Sequence, residues 1–264
     1  MDINQRRQYI IDMVKEQGVV RIADISHELN VTRETIRKDI YTLDKQGLIQ
    51  AVRGGATASE TVSGTKYGHR TAINIPEKQQ IAQNAIRFIH DGDSIFLDYG
   101  TTAFEVAEAI KRSSLKNITI ITNSTTVLST LLYEKKVDMI FLGGSVRGDE
   151  GSVSGPLTLD NINNIYADVG FFGSGGVNLT AGVTNHYFGE VEVSKQMMAH
   201  CRIKIVLADH TKFEKTALYR TANINDIDVV ITDDAINPQI AKDMCLADVS
   251  FINGELTSKD VTID

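Results

Sequence analysis

A chain of 264 residues, 42% of them apolar and with a net charge of −7, can form one large domain or a small domain followed by a medium one. Its start, MDINQRRQYIIDMVKEQG, has no apolar core of signal-peptide length, and no run of about 18 apolar residues occurs, so a cytoplasmic protein with no helical membrane span is expected. Cys201 and Cys245 are isolated thiols without CxxC spacing, which argues against a zinc ribbon or a disulfide scaffold and for ordinary buried cysteines.

Charge is divided unevenly. Residues 1–57 carry nine Lys and Arg against eight Asp and Glu, whereas the remainder carries 18 against 26. Phosphate repels the acidic remainder, so any nucleic-acid contact is expected in the N-terminal module. Within it, residues 20–56 read as a winged helix-turn-helix. Ile22, Ile25 and Leu29 mark one buried helix face, Asn30, Val31 and Thr32 break the period, and Thr32 is a good N-cap. Ile36, Ile40 and Leu43 then face a core, leaving Arg33, Thr35, Arg37 and Lys38 outward, where they can reach base edges and phosphates of double-stranded DNA. Leu48–Val52 is a short strand. Gly54 and Gly55 are expected to supply positive φ angles for a hairpin with Arg53 at its tip.

Residues 58–76 are rich in Ser, Thr and Gly and read as a linker, so the expected domains are 1–57 and 77–264. Residues 77–90 are helical. Seven short apolar runs follow between helical stretches: SIFLDY at 94, NITIIT at 117, VDMIFL at 137, DVGFF at 168, IKIVLA at 203, DVVIT at 228 and DVSFI at 248. Near-continuous apolar strands separated by amphipathic helices predict a Rossmann-like α/β domain, its mainly parallel sheet covered on both faces.

Ligands of such sheets sit beyond the carboxyl ends of the strands. Asp98, Gly100, Thr101 and Thr102 precede a helix in a segment suited to an anion, although a turn glycine before a helix is an equally ordinary feature. Other strand ends add Asn123 and Ser124, Gly143 and Gly144, Gly175, and Asp209 with Lys212. Together these residues suit a small phosphorylated polyol: backbone donors and Lys212 for charge, Asp98, Asn123 and Asp209 for hydroxyls. GSGGV lacks GxGxxG spacing and no GxxxxGK[ST] run exists, so neither NAD nor ATP is expected as a cofactor.

TIRKDIYTLDKQGLI with RGGA, IFLDYGTTAFEVA, IITNS, GGSVRG, GSGGV through GVTN, GEVEVSKQMM and LADHTKF occur in this order, and in them the chain resembles the DeoR family of bacterial transcriptional regulators over nearly its whole length. The resemblance implies a winged-helix DNA-binding domain joined to a sensor domain related to ribose-phosphate isomerases and coenzyme A transferases. It also implies that a bound sugar phosphate changes operator affinity, most often releasing a repressor, and that Glu190 lies at the effector site. Arg70, Glu77 and Lys78 match the family's charged segment entering the sensor. Where the family often has a lysine four positions after the glutamate, Ser194 follows Glu190 here, with Lys195 next; Asn185 and His186 replace the commoner residues after GVT.

The expectation is therefore a sugar-phosphate-responsive repressor without catalytic residues or a metal, binding operator DNA as a homo-oligomer, dimer or tetramer. The alternative is an isomerase-like enzyme carrying a DNA-binding module, with Glu190 as general base and Lys212 stabilising an enediolate.

Overall fold

The computed structural model describes residues 2–45, 48–57, 67–245 and 249–253. The chain forms two compact units, Met1–Ile73 and Asn74–Asp264. Residues 58–66 of the expected linker lie outside the described residues, and Tyr67–Ala72, also read as linker, is a helix.

The first unit contains helices Ile3–Gln17, Ile22–Glu28 and Arg33–Lys45 and a three-stranded antiparallel sheet in the order Val19–Arg21, Gly55–Thr57, Gln50–Val52. Its core is built from Ile10, Val14, Ile25, Ile36, Ile40, Leu43 and Ile49, all at most 2% exposed. Four side chains decide where helices begin and how they are held. Asp2 and Gln5 form a reciprocal capping box, with the Gln5 N–H donating to Asp2 Oδ1 at 2.8 Å. The Thr35 N–H donates to Thr32 Oγ1 at 3.2 Å, the expected cap of the Arg33–Lys45 helix. Asp39, facing inward from that helix, accepts from Arg6 Nε at 2.6 Å and Arg7 Nε at 2.9 Å.

The wing differs from expectation at one glycine. Gly54 has φ +86°, as the turn requires, but Gly55 does not have a positive φ. It lies in a strand paired on both sides, and a Cβ there would overlap the Val20 carbonyl oxygen. Close backbone approach, not turn geometry, demands glycine at 55.

In the second unit all seven apolar runs become strands of one parallel sheet, ordered Ser250–Asn253, Val229–Thr232, Cys201–Leu207, Ala167–Gly173, Ser94–Leu97, Ile118–Thr122, Val137–Phe141. Alternation along each strand divides the core between the two faces. Ile95, Leu97, Ile120, Val169 and Phe171 pack with residues of the helices Ile75–Ala85 and Thr101–Arg112. Phe96, Ile121, Phe172, Val206 and Val230 pack on the other face with Val193, Met197 and Met198 of the helix Phe188–Ala199. Burial of each large side chain contributes about 1.5–3 kcal/mol. Two antiparallel additions were not read from the sequence: a hairpin, Ser145–Arg147 with Ser152–Ser154, and a small sheet, Gly176–Asn178, Gly182–Asn185 and Tyr219–Ala222.

Candidate functional site

On the first unit, Arg33, Arg37 and Lys38 are exposed on the Arg33–Lys45 helix and Arg53 is exposed at the wing. Thr35 is half-buried, and its hydroxyl lies 2.9 Å from that of Thr32. Arg37 Nη1 pairs with Glu34 Oε2 at 2.5 Å, both side chains being well exposed. Pairing within one helix turn holds the guanidinium on the outer face without withdrawing it from solvent.

On the second unit, the polar residues gather at the carboxyl ends of neighbouring strands. Gly100, with φ +114°, is the N-cap of the helix Thr101–Arg112; having no side chain, it leaves the first-turn N–H groups uncapped. Thr101 is buried, whereas Thr102, Gly143 and Lys212 keep partial exposure. Asp98 is fully buried and accepts from the Tyr99 N–H at 2.8 Å and from Ser194 at 2.6 Å. Burial lifts its pKa from 3.8 to about 7, Glu190 adds to the rise, and the hydrogen bonds from Ser194, Tyr99 and Asn123 oppose it.

Asn123 is fully buried, and its amide N–H donates to the Val153 carbonyl at 3.4 Å. Its Oδ1 has no hydrogen-bond partner, a state that costs about 1–3 kcal/mol unless a donor is supplied. Ser124 caps the next helix by accepting from the Val127 N–H at 3.3 Å. Gly144, at φ +126°, allows close packing against Thr158, whose hydroxyl donates to the Gly143 carbonyl at 2.7 Å. The Gly175 N–H is occupied by the Thr184 carbonyl at 2.9 Å, so that glycine joins strands and offers no backbone donor.

Glu190 is enclosed. Arg147 Nη1 lies 3.1 Å from its Oε1 and 3.3 Å from its Oε2, Ser152 also donates to it, and Tyr99 bonds it from the Asp98 loop. Burial raises its pKa, while Ser152 and Arg147 pull it back. The Arg147 guanidinium stacks 3.1 Å from the centre of the Tyr187 ring and reaches Asp149 at 2.9 Å. Hairpin residues fasten this group to the second strand end: the Val153 N–H donates to the Asn123 carbonyl and the Thr125 N–H to the Gly151 carbonyl, both at 2.8 Å.

Burial would raise the pKa of Asp209, but hydrogen bonds from Thr211, the Lys212 ammonium and the Asn74 amide hold it below its ordinary value. Beside it, His210 Nδ1 lies 2.8 Å from the fully buried Asp233. Lys78 is buried in the first turn of the helix Ile75–Ala85, and Glu77 Oε2 is buried without a partner. Arg70 belongs to the other unit, 5.9 Å from the centre of the Tyr67 ring. The Cys201 thiol is pushed up to about 12 by burial, as suits an unreactive core cysteine; nothing is described of the Cys245 side chain.

Residues 6–62 match the DeoR-like helix-turn-helix domain and residues 73–234 match the DeoR C terminal sensor domain. The chain belongs to the DeoR family. Among curated relatives, the Escherichia coli K12 glycerol-3-phosphate regulon repressor is 32% identical over 88% of this chain and 92% of its own length. The Bacillus subtilis regulator IolR is 31% identical over 90% and 93%, and the E. coli repressor CsqR is 30% identical over 88% of each. The E. coli proteins are named as repressors, and this DeoR-family chain is a DNA-binding transcriptional regulator with the same helix-turn-helix and sensor domains. Among solved structures, ribose 5-phosphate isomerase from Plasmodium falciparum aligns at 17% identity and a TM-score of 0.40, over 53% of this chain and about half of that one (52%). No helix among the described residues is long and apolar enough to cross a membrane.

Proposed function

We propose that this regulator is a repressor, released from, or tightened on, its operator by a phosphorylated sugar bound at the carboxyl ends of the parallel strands. The observation that carries the reading is that an uncapped helix N-terminus at Gly100, a buried, donor-less Asn123 Oδ1 and the Asp209–Lys212 pair all follow the carboxyl ends of strands of one parallel sheet. The first suits a phosphate, the second a ligand hydroxyl, the third both. Asp98, Thr101, Thr102, Ser124, Gly143 and Gly144 shape the same mouth, and the glycerol-3-phosphate regulon repressor among the relatives is consistent with a phosphorylated ligand. Operator DNA is read in this proposal by Arg33, Thr35, Arg37 and Lys38, with Thr32 capping the helix and Arg53 on the wing. The cytoplasmic protein acts as a dimer or tetramer, because joining two readers raises the effective concentration of the second.

Binding without turnover fits the enclosure of Glu190. The isomerase alternative needs that carboxylate as a free base, yet both oxygens are occupied by Arg147 and Ser152 bonds to one of them as well. Thermal-shift screening against phosphorylated sugars, glycerol 3-phosphate included, with unphosphorylated sugars as controls, tests the proposal. Stabilisation that requires the phosphate and disappears in Lys212→Ala supports it; no stabilisation by any phosphorylated compound overturns it.

A further inference from the structure

We propose that the sensor responds to a proton as well as to its anionic ligand, with Asp98 as the proton site, so that ligand affinity falls as Asp98 ionises. This rests on the sensor reading above and adds its regulation. Geometry leads to it. Ser194 Oγ lies 2.6 Å from Asp98 Oδ2 and 3.1 Å from the Glu190 carbonyl oxygen. One hydroxyl proton cannot serve both acceptors in full. Protonation of Asp98 reverses the first bond: the acid then donates to Ser194, which is left free to donate to the Glu190 carbonyl, and both contacts are complete.

The surroundings favour the neutral form. The charged and titratable groups facing Asp98 are Glu190 on the Phe188–Ala199 helix and Tyr99 on its own loop; on the hairpin, Arg147 acts on this cluster through Glu190, and Glu150 through both Glu190 and Tyr99. The neighbouring strand ends bring Thr122, Asn123 and Gly173, all neutral. Asp98 is fully buried, and burial raises its pKa to about 7, within the range where a modest pH change alters its charge. An ionised Asp98 beside Glu190 repels a phosphate arriving at the helix that follows Gly100; the neutral acid does not.

The test compares full-length wild type with Asp98→Asn, which preserves the shape and the donated hydrogen bond but cannot ionise. Without ligand, the folded wild-type protein keeps this proton up to about pH 7, whereas the unfolded chain loses it near 3.8. The associated stability is fully present below pH 3.8 and lost as pH rises through about 7. Between pH 5 and 8 the melting midpoint of Asp98→Asn is therefore expected to gain about 5 °C or more on that of wild type. With inorganic phosphate as probe, the wild-type dissociation constant divided by that of Asp98→Asn is expected to rise about fivefold from pH 6 to 8; the ratio cancels the titration of phosphate itself. A constant melting gap, or a constant ratio of dissociation constants, overturns the proposal. If neither phosphate nor any phosphorylated sugar binds either protein, the sensor reading fails and the linkage with it, while the melting curves still report whether Asp98 holds its proton.

Discussion

Arg37 and Lys38 are neighbours on one exposed helix face but are expected to fail differently when removed. Arg37→Ala is expected to weaken operator binding by about 1–3 kcal/mol and relax preference at one base pair, because a guanidinium can bond guanine O6 and N7 together. Lys38→Ala is expected to weaken binding evenly across sequences and to lower the salt slope by about one unit, as loss of one phosphate contact does. Competition binding against single-base operator variants at two salt concentrations separates these outcomes. Gly55→Ala is a structural counterpart. Its Cβ would meet the Val20 carbonyl oxygen, a backbone atom unable to turn away, so a loss of at least about 2 kcal/mol in the stability of the first unit is expected by chemical denaturation. In the sequence two adjacent glycines between strands look alike and both read as turn residues; only pairing with Val19–Arg21 reveals which one is fixed by crowding.

Elements were legible where one physical signal governed a whole run. The central strands are buried on both faces, so apolar runs such as Ile205 to Leu207 announce the sheet. The Ser145–Ser154 hairpin was not legible, because its strands are three residues long and mostly polar, and it is held to Asn123 and Thr125 by backbone bonds that leave no trace in side-chain pattern. Enclosure of Glu190 was equally hidden. Arg147 and Ser152 meet it from 43 and 38 residues away. Helix Ile3–Gln17 carries a weak signal in the sequence because, among its described positions, only Ile10 and Val14 are buried. Its anchorage is polar: Arg6 and Arg7 converge on Asp39. Asp39→Ala is expected to cost about 2–3 kcal/mol by leaving two partly buried guanidinium groups without their shared carboxylate, read as earlier urea unfolding of the first unit.

For the whole molecule, charge and linkage set the measurable behaviour. The second unit is net acidic, so attraction to DNA is expected from the first, and the salt slope of operator binding is expected to survive any charge-neutral change at the sensor mouth. Coupling between the sites must also be reciprocal. If a sugar phosphate changes operator affinity by some factor, operator DNA must change sugar-phosphate affinity by the same factor, which calorimetric titration of the free and DNA-bound protein checks. A ligand present at about 100 times its dissociation constant is expected to add roughly 2.7 kcal/mol of stability.

The division of the Arg33–Lys45 helix has a consequence for how such regulators diversify. Ile36, Asp39, Ile40 and Leu43 fasten it from within, whereas Arg33, Arg37 and Lys38 stand exposed on its outward face. New operator preferences can therefore arise one outward substitution at a time without passing through an unfolded ancestor, and a designer can rewrite the address while leaving the switch untouched.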